Sequence, residues 1–192
     1  MEVNVMTRDT NGKNVTRMQL QTRIWIKDAL MQLLKEYSFD DITVKQIVLT
    51  AKISRPTFYR NYSSKKEVLD DAITDIMLDY KEKFNQKNIT DLHGLLVYCF
   101  QYFGNNHDYI SIMVGAHLTG YLSDKLTRQF AEGIQDNIRT WRQWQTPLQK
   151  QIGIHFAFYG FLNVIIYWIA TGCKETPEAM AEQTIEIIKN LV

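Results

Sequence analysis

Side chains that can bind phosphate groups or the edges of DNA bases are concentrated in one short segment, Ser54–Tyr62. Arginine can donate two parallel hydrogen bonds to guanine, asparagine can pair with adenine, and a tyrosine hydroxyl can reach phosphate. Helical spacing turns these groups away from Phe58 and Tyr62, which lie four residues apart and can seat the helix on a core. The outward-pointing candidates are Thr57, Tyr59, Arg60 and Asn61.

A second short helix is predicted just before this segment, and a turn of three or four residues joins the two. Thr43 stands three residues before Gln46, a capping-box pattern that starts a helix. Two short helices joined in this way can place the second one, the recognition helix, in a DNA major groove. Thr43 and Lys45 at the start of the first helix are candidates for contacts with the DNA backbone.

The start of the recognition helix leaves two interpretations open. Ser54 is a good N-cap, and Pro56 suits the first turn, where its missing N–H would have no intrahelical partner. Because proline disfavours helical geometry in the preceding residue, Arg55 is an equally acceptable cap. A second capping box at Ser64–Glu67 then opens a long helix, where Lys65 is a candidate phosphate contact.

The charge distribution favours a nucleic-acid partner. The formal net charge is only +1, but residues 1–66 hold twelve Lys and Arg against six Asp and Glu, and residues 67–192 hold ten against fifteen. A basic N-terminal part followed by an acidic remainder is typical of a DNA-binding part joined to a separate partner-binding part. The alternative is that the asymmetry arose by chance and that Thr57–Tyr59 is ordinary amphipathic packing with a solvated surface.

Composition and periodicity predict an all-α chain of one or two domains. The chain has 192 residues, 45% of them hydrophobic, with apolar positions at helical spacing and no useful β-alternation. We expect a mobile arm at residues 1–18, a first helix whose apolar positions run from Ile26 to Tyr37, and a linker near Asn85–Thr90. Further helices are expected at Asp91–Asn105, Asp108–Ala116, Tyr121–Trp144, Pro147–Thr171 and Pro177–Leu191.

The C-terminal half is rich in aromatic residues and predicts either a ligand pocket or a packed helical core. Buried Tyr, His and Trp need polar partners, so they can line an apolar cavity that carries a few directional groups. A plain core is the favoured interpretation for any single residue. If a pocket exists, its candidate residues are Tyr98, Tyr102, Met113, His117, Trp141, His155 and Tyr159.

The helix expected at Pro147–Thr171 is apolar nearly all round, which predicts burial on every side. In a chain of this size a second subunit is the best cover, and pairing with the last helix would give a four-helix dimer interface. The apolar run Phe156–Ala170 is about 15 residues, shorter than the roughly 20 that span a bilayer, so we expect a buried helix and no membrane association.

Three segments resemble the TetR family of bacterial transcriptional regulators: Phe39–Val44, Ile53–Tyr62 and Ser64–Leu69. The resemblance implies an all-α homodimer with a helix-turn-helix DNA-binding domain at 19–66 and an effector-binding and dimerisation domain at 67–192. The last part also resembles the branch that includes dihydroxyacetone-kinase regulators. By position, base-contacting residues would be Arg55, Pro56, Thr57, Tyr59 and Asn61, and backbone-contacting residues would be Thr43, Lys45 and Lys65.

Two residues depart from the family pattern. Lys52 stands where a turn glycine is usual, so a left-handed backbone there would cost on the order of 1 kcal/mol, or the turn must adjust. Pro56 replaces a small residue and has no N–H to offer a phosphate, although its ring could touch a thymine methyl. Both departures concern individual contacts, because the rest of the motif is present.

These observations predict a cytoplasmic transcriptional regulator that binds double-stranded operator DNA. A repressor released by a small-molecule effector is the first expectation, and an activator or a protein-partnered regulator is the alternative. No nucleophile–base spacing, paired-carboxylate signature or glycine-rich phosphate loop favours an enzyme. Cys99 and Cys173 suggest no disulfide framework, and they and the histidines lack the spacing of a dedicated zinc site. We therefore expect neither cofactor nor metal.

Overall fold

The computed structural model describes residues 6–8, 14–133 and 145–190, which form two short strands and nine helices. The chain divides into two compact units, Met1–Asp79 and Tyr80–Val192. Apart from one hairpin, the expected all-helical architecture is confirmed. The elements are β1 (Met6–Arg8), β2 (Asn14–Thr16), α1 (Arg17–Leu34), α2 (Val44–Thr50), α3 (Arg55–Asn61), α4 (Lys65–Asn85), α5 (Leu92–Asn105), α6 (His107–Gly115), α7 (Thr119–Gly133), α8 (Pro147–Ala170) and α9 (Pro177–Asn190).

The N-terminal region differs from the expected arm. β1 and β2 pair antiparallel, with Met6 opposite Thr16. α1 begins at Arg17, well before the apolar positions that predicted it, because Thr16 and Gln19 form a reciprocal capping box. This is the same Thr-x-x-Gln pattern that marked the start of α2, so the sequence contained the signal. The division between the units falls inside α4, after the 66/67 boundary expected.

The core of the first unit is built where α1, α2 and α3 meet the first half of α4. Each helix contributes side chains that are fully buried or nearly so, and one aromatic residue of α3, Phe58, is completely inaccessible. Replacing such a buried phenylalanine by alanine typically costs about 3–5 kcal/mol. The short recognition helix therefore depends on packing with its neighbours. The buried apolar residues include Ile26, Leu30, Ile42, Ile47, Phe58, Tyr62, Val68, Leu69 and Ile73.

The second unit packs α5 against α9 and sets α6 and α7 against α8. Phe100 of α5 meets the Trp168 ring of α8 edge-on, with 5.4 Å between ring centroids. Gly104 faces the same indole, and a Cβ there would lie 2.7 Å from Trp168 Cη2, closer than real Cβ contacts. A residue without a side chain is therefore required at this helix contact. Trp168 Nε1 donates to the Glu175 carbonyl at 3.1 Å, which satisfies its buried donor.

Helix α8 is buried on only one side within its own unit. Leu162, Ile165 and Trp168 face the core, whereas Phe156 is 75% exposed and Tyr167 is 67% exposed. A second subunit was expected to cover the remaining side, and that cover stays a prediction. By its length of 24 residues and its composition, α8 could cross a membrane, and the expected lack of membrane association stays a prediction.

The helix expected at Tyr121–Trp144 is described as far as Gly133. Its remaining part, with Trp141 and Trp144, lies outside the described residues, as does Leu191.

Candidate nucleic-acid interface

The turn between α2 and α3 is closed by two hydrogen bonds that require a left-handed residue. The Ile53 N–H donates to the Val48 carbonyl at 3.0 Å, and the Lys52 N–H donates to the Leu49 carbonyl at 3.2 Å. This is the Schellman pattern, in which the residue after the C-cap adopts positive φ. Lys52 has φ +53°, so a lysine occupies the position that glycine would fill without strain. Of the two outcomes expected, left-handed strain and an adjusted turn, the structure shows the first.

The start of α3 resolves the ambiguity between Ser54 and Arg55. Ser54 has extended backbone angles, and its Oγ accepts from the Thr57 N–H at 3.2 Å, so Ser54 is the N-cap. Pro56 then occupies the second helical position, where an N–H would have no intrahelical partner. The two hydroxyls, Ser54 Oγ and Thr57 Oγ1, lie 2.8 Å apart, and Arg60 Nη2 donates to Thr57 Oγ1 at 3.1 Å. The amino end of the helix thus carries an ordered polar group on its surface.

The two faces of α3 divide as expected. Phe58 and Tyr62 are 0% and 1% exposed, whereas Tyr59 is 58% exposed. The Arg55, Pro56 and Arg60 side chains are exposed as well, and Thr57 is half-buried. The outward face thus carries aromatic, cationic and hydroxyl groups above an anchored apolar face.

Asn61 is half-buried and makes a local contact. Its Nδ2 donates to the Thr57 carbonyl at 2.8 Å, so one amide hydrogen already has a partner within the helix. Full pairing with an adenine edge uses both the amide oxygen and an amide hydrogen. Asn61 keeps its amide oxygen and a second amide hydrogen for such pairing, but it is half-buried, whereas Arg60 is exposed.

The side chains expected to bind the DNA backbone have different surroundings. Lys45 is exposed at the start of α2. Thr43 is the N-cap of α2, and its hydroxyl accepts from the Gln46 N–H at 3.3 Å and donates to Gln46 Oε1 at 2.7 Å. Both lie at the amino end of α2, where free N–H groups favour an anion.

The half-buried Lys65 side chain forms hydrogen bonds with backbone carbonyls of its own chain. Its Nζ donates to the carbonyl oxygens of Phe39, Asp40 and Ile42 at 2.6, 2.8 and 2.8 Å. The ammonium also lies 4.8 Å from the centroid of the Phe39 ring. An ammonium group has three N–H donors, and all three have protein partners here. Lys65 thus ties the start of α4 to the loop between α1 and α2, and the phosphate contact expected for it stays a prediction.

A buried charged cluster behind α3 was not expected from the sequence. Asp71 of α4 accepts from Arg23 Nη2 at 2.9 Å and from the Tyr62 hydroxyl at 2.6 Å, and Lys27 Nζ lies 3.1 Å from its Oδ2. Arg23 Nε donates to the Tyr62 hydroxyl at 3.2 Å, and Lys27 also pairs with Asp75. Burial raises the pKa of Asp75, and burial with the Asp71 hydrogen bond raises the pKa of Tyr62. The available signal was two pairs of like charges at (i, i+4) spacing, the cations Arg23 and Lys27 in α1 and the carboxylates Asp71 and Asp75 in α4.

The residues proposed to bind a ligand fall into separate places in the second unit. Tyr98 and Tyr102 are buried beside Tyr80, with ring centroids 5.5 and 5.1 Å from its ring. Cys99 packs in the same aromatic cluster, where its Sγ lies 3.2 Å from the Tyr80 hydroxyl and burial raises its pKa to about 12. Met113 is fully buried in α6.

The other proposed ligand residues are at the surface or outside the described residues. His117 is exposed with φ +59° in the turn after α6. His155 and Tyr159 stack on the exposed side of α8, with 6.1 Å between ring centroids. Trp141 lies outside the described residues. The set therefore stays a prediction. In the first unit, an open hollow of about 400 Å³ is lined by Trp25, Asp28, Ala29, Gln32, Thr50, Ala51 and Lys52.

Comparison with known proteins agrees with this geometry in both units. Residues 26–72 match the family described as bacterial regulatory proteins, tetR family, and residues 90–190 match the family described as transcriptional regulator C-terminal region. An uncharacterized HTH-type transcriptional regulator of Bacillus subtilis (strain 168), YxbF, is 22% identical over 172 residues, which are 85% of this chain. The chain spans 43% of the length of that relative.

Solved structures show the same fold. A TetR transcriptional regulator from Streptococcus agalactiae 2603V superposes with a TM-score of 0.66 at 22% identity, covering 90% of this chain and 96% of that one. The dihydroxyacetone kinase operon activator DhaS superposes with a TM-score of 0.56 at 18% identity, covering 90% and 97%. At these identities the similarity shows that the fold is shared. It does not show that the operators and ligands are shared.

Proposed function

The chain belongs to the TetR family of bacterial transcriptional regulators, and from this premise we propose that it is a homodimeric repressor released from a palindromic operator by a small-molecule effector. Members of the family bind operator DNA, act as dimers and are not enzymes. The observation that carries the proposal is the divided surface of α3, with Phe58 and Tyr62 buried and Tyr59 and Arg60 presented outward. With chromosomal DNA as its target, the protein would act in the cytoplasm.

The proposed DNA contacts follow from exposure and chemistry. Arg60 and Arg55 would read guanine edges, because each guanidinium is exposed on α3 and can donate two parallel hydrogen bonds. Tyr59 would contact phosphate or sugar, and Pro56 would meet a thymine methyl. Thr57 and Asn61 would mainly support the helix, given their hydrogen bonds within it.

At the amino end of α2, Thr43 and Lys45 would hold the DNA backbone. The exposed Lys45 ammonium can neutralise a phosphate, and the Thr43 hydroxyl lies beside the free N–H groups of the first turn. Lys65 would contribute indirectly by holding the loop from Phe39 to Ile42.

Dimerisation through α8 and α9 is proposed from the apolar surface that the single unit leaves uncovered. Leu148, Ile152, Phe156 and Tyr167 are exposed along α8, and Ile187 is 58% exposed on α9. Exposed apolar patches of this kind mark interaction surfaces. A two-fold arrangement of the two helices from each chain would bury this stripe and form a four-helix interface.

The effector would be a mostly apolar small molecule that binds among the aromatic residues of the second unit. The proposed contacts are Tyr98, Tyr102, Met113, His117, Trp141, His155 and Tyr159. Binding would rearrange the buried Tyr98, Tyr102 and Met113, and an effector that prefers the rearranged state would shift the population toward it. The change would pass through α4, which contributes residues to both units.

Selection from random DNA tests this function. The purified chain is mixed with randomised duplexes, and we expect enrichment of a palindrome whose half-sites lie about one helical turn, 34–36 Å, or a small multiple apart. The Tyr59→Phe variant should bind the selected duplex more weakly than the wild type and remain dimeric in size-exclusion chromatography. A pool with no enriched sequence would refute DNA reading by this chain.

The sign of regulation requires a second assay. Transcription from a template with the selected site in its promoter is measured with and without the chain, and a repressor lowers the transcript level. A raised level would identify an activator instead, the regulatory role named for the similar structure DhaS. Release by the effector would appear as loss of the protein–DNA complex when candidate apolar compounds are added.

A further inference from the structure

The recognition helix is attached to the rest of its unit by few contacts. It has only seven residues, and its amino end is fixed by the Ser54 cap and the turn that precedes it. At its carboxyl end, Tyr62 is the C-cap, and its N–H donates to the Phe58 carbonyl at 2.9 Å. Phe58 and Tyr62 are its two inward aromatic side chains, and their ring centroids lie 6.2 Å apart. The orientation of Arg60 therefore depends on how firmly Tyr62 is held.

Tyr62 is held in two different ways. Its ring is buried, with the Arg23 guanidinium carbon 5.1 Å from the ring centroid, and burial of apolar surface has no preferred direction. Its hydroxyl donates to Asp71 Oδ2 at 2.6 Å and accepts from Arg23 Nε at 3.2 Å. Hydrogen bonds weaken steeply when their geometry is lost. Burial of the ring thus holds the helix against the core, and the hydrogen bonds of the hydroxyl fix its orientation there.

The charges around the hydroxyl are balanced without it. Arg23 and Lys27 on α1 supply two cations, Asp71 and Asp75 on α4 supply two carboxylates, and each carboxylate has a cationic partner. Removing the Tyr62 hydroxyl would therefore leave no buried charge without its opposite. This balance matters because an unpaired buried charge is strongly destabilising, whereas the loss of one neutral hydroxyl is tolerable.

We propose that Tyr62 is a positioning residue for DNA reading: its hydroxyl joins α1, the end of α3 and α4, and so fixes the angle at which the outward face of α3 meets the bases. The inference rests on the proposed function, since it concerns how that function is made specific. Tyr62 touches no DNA in this account and acts through Arg60 and the other outward residues. The same contacts tie α3 to α4, so a displacement of α4 moves the recognition helix with it.

The test uses the conservative Tyr62→Phe variant of the full chain, which keeps the buried ring. The matched control is Tyr37→Phe, which removes a hydroxyl from a tyrosine of the same unit that is 44% exposed. Affinity is measured for the duplex selected by the wild type and for a scrambled duplex, well below the melting temperature of each variant. We expect Tyr62→Phe to weaken binding of the selected duplex about fivefold and binding of the scrambled duplex less than about twofold.

A second measurement needs no DNA. Hydrogen exchange of the α3 amides should be about tenfold faster in Tyr62→Phe, because a lost anchor lowers the free energy of local opening, while exchange in α2 stays the same. An unchanged ratio of selected to scrambled affinity together with unchanged α3 exchange would overturn the proposal, whatever happens to the melting temperature. If the wild type itself binds the two duplexes equally, the proposed function is refuted, and this inference, which rests on it, is refuted as well.

Discussion

Replacing Lys65 by methionine separates two roles for this side chain. In the structure the Lys65 ammonium donates to the carbonyls of Phe39, Asp40 and Ile42 and has no fourth donor. Methionine keeps the length of the apolar stem and removes the donors. If the loop contacts dominate, Lys65→Met lowers the free energy of unfolding. If a phosphate contact dominates, the substitution lowers DNA affinity and leaves stability unchanged.

The magnitude follows from the number and exposure of these hydrogen bonds. A hydrogen bond to a charged group contributes about 1.5–3 kcal/mol when it is buried. Lys65 is half-buried and the Asp40 carbonyl belongs to an exposed residue, so water replaces part of the loss. We expect a total of about 2 kcal/mol, which lowers the melting temperature of a chain of this size by about 4–8 °C.

Thermal unfolding followed by circular dichroism measures the effect, and Lys45→Met is the matched control. Lys45 is exposed, so its loss should leave the melting temperature within about 2 °C, since surface substitutions are usually within about 0.5 kcal/mol. The same loss should reduce the salt dependence of DNA binding by about one phosphate contact. An unchanged melting temperature for Lys65→Met, with a salt dependence reduced as in Lys45→Met, would refute the loop-holding role.

Two further predictions concern the turn and the dimer. Lys52→Gly should raise the free energy of unfolding by about 0.5–1 kcal/mol relative to Lys52→Ala, because only glycine adopts the positive φ at that turn without strain. Equal chemical denaturation curves for the two variants would contradict a strained backbone at this turn. Phe156→Glu should convert the dimer to a monomer in analytical ultracentrifugation, because it puts a charge on the apolar stripe of α8. The control Asn88→Glu in the linker should leave the dimer intact. A Phe156→Glu variant that remains dimeric would exclude this face of α8 as the interface.

The sequence was most informative where local signals act alone. Asp91, Thr146 and Thr176 each accept a backbone N–H at the start of a helix, and the predicted ends of α5, α8 and α9 agree with the structure to within a residue or so. Capping depends on neighbouring residues, so it can be read from a short stretch of sequence. The aromatic anchor and the outward face of α3 were predictable for the same reason.

Contacts between distant segments were not predictable. Arg23 of α1 is an example, because its carboxylate partner Asp71 lies 48 residues later in the chain. Nothing near Lys65 in the sequence indicates its three carbonyl partners, and the phosphate contact expected for it stays a prediction.

Base discrimination by Arg60 tests the central claim most directly. The wild type and Arg60→Ala are compared on the selected duplex and on duplexes in which each base pair of a half-site is changed in turn. If the outward face of α3 reads the bases, the variant loses about 1–3 kcal/mol of discrimination at one symmetry-related pair of positions and keeps it elsewhere. Discrimination that is the same in both proteins at every position would contradict the claim.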